Sequence, residues 1–139
     1  MATTASTEEP TPEEFFHNAY RAFINALVIL AEPPDAQCAD MGDYNVAWEL
    51  KDDVAAGRYL VGRGLLAAKD EEAILALANA VQAVPHSILG SASGREANLL
   101  AMRHKSWTPL REEAAGLLVL LRQFSKQNAH FLGLAGDDT

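Results

Sequence analysis

Apolar residues in this chain return every three to four positions, in runs closed by proline or glycine, and that spacing restricts what it can fold into more than any other feature. Phe16, Ala19, Tyr20, Phe23, Ile24, Leu27 and Leu30 are the clearest case. On a helix of 3.6 residues per turn they share one flank, which has to be hidden against other helices. Runs that alternate apolar with polar residues are absent and the β-branched residues are scattered, so no strand competes. No period of 20 to 50 residues recurs. With 139 residues, 49% of them hydrophobic, one core is affordable. The expected fold is all-α: a single-domain antiparallel helical bundle of four to five helices over residues 11–133, with tails at 1–10 and 134–139.

Local signals place the helices. Thr11, Pro12 and Glu14 form a start signal, a capping threonine with a glutamate three positions on and proline at the first helical position, and Pro33-Pro34 stops the run, predicting a helix over 12–31. Residues 32–42 read as a surface crossing. Asp43, or alternatively Asp40, caps a second helix with Val46, Leu50, Val54, Gly57, Val61 and Leu65 along one stripe, ending between 61 and 68 where Gly62 and Gly64 weaken it. Gly57 on that stripe implies a neighbour crossing close to the backbone, since glycine there is about 1 kcal/mol less favourable than alanine.

Asp70 begins a third helix that shows Ile74, Leu77, Ala78, Val81 and Val84 on one face and closes at Pro85. A flexible loop leads to a fourth, capped by Ser93 with Glu96, that turns Ala97, Leu100 and Ala101 inward up to about His104. The last opens at Thr108-Pro109 and carries Leu110, Ala114, Leu117, Leu118, Leu121 and Phe124, widened by Val119 and Leu120. Its broad apolar arc marks it as the most buried helix, or as one that offers its surplus to a second copy.

Charge and cysteine content remove several function classes. Nineteen Asp and Glu against eleven Lys and Arg give a formal charge of -8, which repels a phosphate backbone and attracts a basic protein. Cys38 is the sole cysteine, so neither an intrachain disulfide nor a cysteine metal cage can form. No apolar run approaches the ~20 residues of a bilayer span, and residues 1–10 carry no targeting pattern. These features predict a cytoplasmic protein with no nucleic acid or membrane partner.

Few residues suggest chemistry. Glu14 and His17 have the spacing of one half of a di-iron site, but no second Glu-x-x-His pair exists, so they read as an exposed first turn and no metal or cofactor is expected. Glu49, Asp52 and Asp53 crowd three carboxylates on the second helix, with Arg63 beyond them; like charges at this spacing oppose a helix by about 0.2–0.5 kcal/mol. They read as a solvated face or as a site for a basic partner. The 90–94 loop, with Ser91, Ser93, Gly94 and Arg95, could offer N–H groups to an anion, although it lacks the lysine of a phosphate-binding loop. Trp107 and Arg111, at a helix-helix corner, read as core packing or as interface anchors, and Trp48 and Tyr59 at the edge of the second stripe read in the same two ways.

With no triad or elbow motif present, the expectation is a non-enzymatic module for protein-protein interaction. It would use Glu49, Asp52, Asp53, Trp107 and Arg111 against a basic partner, in the manner of an immunity or antitoxin protein, or would associate with itself as a homodimer. The rival expectation is a small-molecule or anion-binding protein or enzyme, with an inter-helix pocket near 86–95 lined by His86, Arg95, His104 and Trp107.

Overall fold

Thr11 does what its sequence context requires. Its hydroxyl accepts from the Glu14 N–H at 3.1 Å while the Glu14 carboxylate accepts from the Thr11 N–H at 2.8 Å, and this reciprocal cap starts α1 (Pro12–Leu30). The computed structural model describes residues 11–42, 45–89 and 94–134. The expected tails, apart from Leu134, lie outside them, as do Asp43 and the 90–93 stretch. After α1 come α2 (Pro34–Met41), α3 (Val46–Ala55) with a 3-10 extension (Ala56–Leu60), α4 (Ala68–Ala80) with a second 3-10 turn (Val81–Ala83), α5 (His86–Leu89), α6 (Arg95–Met102), α7 (Trp107–Leu120) and α8 (Arg122–Phe131). The described residues are thus all-helical, in eight α-helices where the periodicity predicted four or five.

The difference in count comes from breaks that the apolar pattern hides. Residues 32–42 are not a crossing: Pro34 occupies the first position of α2, and the helix buries Gln37 and Cys38. The second stripe leaves α-geometry at Ala55, tightens into the 3-10 turn and ends at Leu60, short of the expected 61–68. The cap of α3 is Asn45, whose side-chain oxygen accepts from the Trp48 N–H at 3.1 Å. Helix α4 starts two residues before Asp70, without a side-chain cap, and leaves Asp70 and Glu71 in its first turn. The last predicted helix is two, broken at Leu121.

Short helices multiply unpaired termini, since the first N–H and last C=O groups of each lack intrahelical partners. Here polar side chains from elsewhere in the chain take them up. Gln37 Nε2 donates to the Leu30 carbonyl that ends α1 (2.8 Å), and the Val46 N–H that begins α3 donates to Asn98 Oδ1 (3.0 Å). Asn45 Nδ2 donates to the Leu89 carbonyl at the end of α5, and Arg111 Nη2 to the Met102 carbonyl at the end of α6. Asn98 also explains why α6 is rotated from expectation: it buries Asn98, Ala101 and Met102, leaving Leu100 76% exposed.

One apolar cluster joins side chains from α1 to α7, with Phe124 of α8 packed against it. The centre of the packing is α1, not the last helix: seven α1 residues are buried against four of α7, and α1 touches α2, α3, α7, α8 and the first 3-10 turn. Gly57 is a point of close approach, as its place on the stripe implied. A methyl group added there would stand 2.5 Å from Cε1 of the buried Phe23 ring. Gly57→Ala therefore gains at most about 1 kcal/mol of backbone propensity while forcing a packed ring aside, typically about 1–3 kcal/mol. A net loss of about 1 kcal/mol or more is expected in urea unfolding, partly restored by adding Phe23→Leu; a Gly57→Ala protein as stable as wild type would contradict the close packing.

Candidate functional site

The Gly57–Phe23 approach fixes what the neighbouring residues can do. With Leu60 buried, the three-residue pitch of the 3-10 turn turns Ala56 and Tyr59 together to the surface. Tyr59 is 65% exposed. On α1, Phe15 and Phe16 are neighbours about 100° apart around the axis, so only one can face the core; Phe16 is buried and Phe15 is 64% exposed. On α3, Trp48 is 52% exposed.

These three aromatics meet around Tyr59. One groove of about 370 Å³ runs between Trp48 and Tyr59 with Lys51, Asp52, Arg58 and Gln82 at its edges. Another, of about 460 Å³, lies between Phe15 and Tyr59, floored by Phe23 and Ala56 and edged by Asp53 and Arg63. A third of about 400 Å³ continues past Phe15 to Pro12, Leu60 and Leu65. Tyr59 thus stands as a ridge between a mostly polar groove on the Trp48 side and mostly apolar troughs on the Phe15 side, with charges of both signs on their rims.

Backbone contacts hold the cations. Arg58 Nε donates to the Ala55 carbonyl at 3.2 Å and Arg63 Nε to the Tyr59 carbonyl at 2.9 Å, each satisfying an acceptor at a helix C-terminal end. The acids sit differently. Asp53 has its pKa raised, chiefly because its surface-exposed side chain is still partly desolvated by its neighbours, with repulsion from Asp52 and then Glu49 adding to this.

Of the expected partner-binding residues, Glu49, Asp52 and Asp53 stand exposed on α3, with Asp52 and Asp53 on opposite sides of Tyr59. Trp107 does not join them. It is 0% exposed within the core, so it is no surface anchor, and its indole N–H has no acceptor among the described residues. Arg111 is half-buried; besides Met102 it donates to Gln37 Oε1 at 3.3 Å, a structural role, and burial lowers its pKa. Nothing along the chain separates Phe15 from the core aromatics beyond its pairing with Phe16, which is the signal that was open to use.

Ser91 and Ser93 of the expected anion site lie outside the described residues. Gly94, at φ 118°, caps α6 and Arg95 is exposed in its first turn. The rival pocket loses two of its four lining residues to structural roles: Trp107 to the core, and His104 to its own turn, where Nδ1 accepts from the Ser106 N–H at 3.1 Å. Glu14 belongs to the cap, while His17, expected on an exposed turn, is buried against α8. Among the described residues no three His, Cys, Asp or Glu side chains gather as metal ligands, and no helix is long and apolar enough to cross a membrane. Comparison with known proteins finds no matching family model, curated protein or solved structure.

The raised pKa of Asp53 makes the stability of the fold depend on pH. Because the folded chain raises the Asp53 pKa, the folded state binds more protons than the unfolded one as Asp53 titrates, and stability falls as pH rises through that range. Asp53→Asn removes the repulsion and is expected to stabilise the protein by about 0.2–0.5 kcal/mol at neutral pH. The gain should vanish in acid, where wild-type Asp53 is itself neutral. Urea titrations at neutral and acidic pH check this; a gain of equal size at both would mean that the charge is not the cause.

Proposed function

We propose that this protein is a non-catalytic interaction module that receives a partner protein on the Tyr59 face. The observation that carries the reading is the clustering of Phe15, Trp48 and Tyr59, all more than half exposed, on one surface of a chain whose Phe16, Tyr20, Phe23 and Trp107 are buried. Exposed aromatics beside apolar troughs on the Phe15 side and a polar, charged groove on the Trp48 side match the anatomy of binding hot spots, where aromatic side chains fill pockets and polar rims exclude water. Isolated apolar residues on a surface need no explanation, but three aromatics converging on shared grooves do.

The partner we infer is basic, with apolar anchors that fit beside Tyr59. Glu49, Asp52 and Asp53 crowd at the site at a small cost in stability, and the chain's charge of -8 speeds encounter with a positive surface. An immunity or antitoxin protein is one form such a module takes. Arg58 and Arg63, held by backbone carbonyls, supply the discriminating charges, rejecting surfaces that are basic throughout.

A photo-crosslinking residue at Ala56, in the troughs, tests this in the producing cell. The expected result is a crosslinked basic protein that, once purified, binds wild type but loses at least about thirtyfold in affinity to a Trp48→Ala, Tyr59→Ala double variant. Glu49→Lys, Asp52→Lys, Asp53→Lys should slow association and reduce its salt dependence. The altered side chains are exposed, so melting should change little. A crosslink only to a second copy of the chain would replace the basic partner with a homodimer; no crosslink, or a partner that binds the double variant equally well, would overturn the proposal.

A further inference from the structure

His17 is the one buried histidine among the described residues, and its hydrogen bonds determine which nitrogen carries the proton. Asn128 Nδ2 donates to the backbone carbonyl of His17 at 2.8 Å, and a carbonyl only accepts, so the amide orientation is fixed. The same NH2 group lies 3.1 Å from His17 Nδ1. Nδ1 must therefore be the bare, accepting nitrogen, and the proton of the neutral ring sits on Nε2, which faces Glu13 Oε2 at 3.9 Å. The ring is also stacked between two aromatics of α8, Phe131 at 4.0 Å and Phe124 at 5.7 Å between centroids.

We propose that His17 is a proton-operated latch that holds the C-terminal half of α8 against α1 at neutral pH and releases it in mild acid. A second proton has only Nδ1 to go to, where it confronts the N–H of Asn128. Rotating the Asn128 amide does not help, because its oxygen would then face the His17 carbonyl. Either orientation leaves one buried polar group without a partner, so protonation is compatible with an open α8 and not with the closed one.

The groups around the ring act in both directions. Glu13 on α1 and the two phenyl faces favour a charged imidazole. Against them stands burial; Lys126 and His130 of α8 line the same groove of about 500 Å³ with Leu65 and the apolar edges of Phe124 and Phe131. The balance lies with the neutral ring: burial lowers the His17 pKa and the Glu13 carboxylate only partly opposes this. The folded state then binds fewer protons than an open one, which places the loss of closure below about pH 6.5.

Release should be partial. The first turn of α8 has a separate anchor, the Tyr20 hydroxyl, 2.8 Å from Ser125 Oγ and donating to the Leu121 carbonyl at 3.4 Å. This pair is far from titrating, because burial pushes the Tyr20 pKa up to about 12. Opening therefore hinges beyond Ser125 and uncovers the apolar flanks of His17, Phe124 and Phe131.

Native-state hydrogen exchange followed residue by residue tests the latch. Between about pH 7.5 and about pH 5, after correction for intrinsic chemistry, the Gln127 to Leu132 amides should exchange about tenfold faster, as expected for one lost buried hydrogen bond, while those of α4 stay unchanged. His17→Gln keeps an acceptor for Asn128 without a titrating group and should abolish the response; His130→Gln should retain it. Nitrogen NMR of the wild-type imidazole supplies a check that needs no variant, with bare Nδ1 at neutral pH and a ring titration that coincides with the exchange transition. No pH response, an unaltered response in His17→Gln, its loss in His130→Gln, or a proton on Nδ1 at neutral pH would each overturn the proposal.

Discussion

The contact between Gly57 and the Phe23 ring sets the position of most of what matters in this protein. A side chain as small as a methyl would separate the end of α3 from α1, so the glycine lets a backbone pack where a residue would normally stand. That closeness ends the α-helix at Ala55 and tightens the following turn. Tightening in turn puts Leu60 inside and Tyr59 outside. Had α3 continued as a regular helix, residues 56 and 59 would have rotated relative to one another and the two troughs flanking Tyr59 would not share a ridge.

The second constraint is polar. Eight short helices carry many terminal N–H and C=O groups into the interior, and each would be expensive if left without a partner. Side-chain amides solve this by capping at a distance: the buried Gln37 on the end of α1 and Asn98 on the start of α3, and the half-buried Asn45 on the end of α5, with Arg111 on the end of α6. These bonds also specify the arrangement, because each amide fits one terminus in one orientation. Asn128 follows the same logic at a mid-helix carbonyl, but its second contact is to a titratable ring, and only there does an interior amide acquire sensitivity to protons.

What could be read from the sequence is the part governed by neighbours along the chain. The capping box of α1 and its buried stripe, the face of α4 and the close approach at Gly57 all follow from residues within a few positions of one another. Features decided by remote residues were not legible. Helix α2 has too little apolar content to announce itself, and it is held by Gln37 reaching back to Leu30. Leu100 faces out because Asn98 is required inside by a backbone N–H fifty-two residues away. Trp107 and Tyr59 are both large aromatics at helix boundaries, and only the assembled fold sends one to the core and the other to the surface. The acidic trio was legible as a cluster, since i, i+3 and i+4 spacings are local, whereas the aromatic ridge beside it joins two helices some forty residues apart.

Taken together, the stresses on this fold are unevenly distributed. Interior polar groups are mostly paired and apolar side chains mostly covered, which is what folding by itself rewards. On the α1–α3 face the chain leaves three aromatics in water, crowds like charges on one helix and holds a carboxyl against its preference for charge. Each departure is small, and a surface can carry any one of them without consequence. Their coincidence around a single residue whose position follows from the close approach of Gly57 to the Phe23 ring is harder to ascribe to folding. A rigid floor under an unsatisfied surface is the arrangement that recognition requires, because a partner then meets side chains whose ordering is already done.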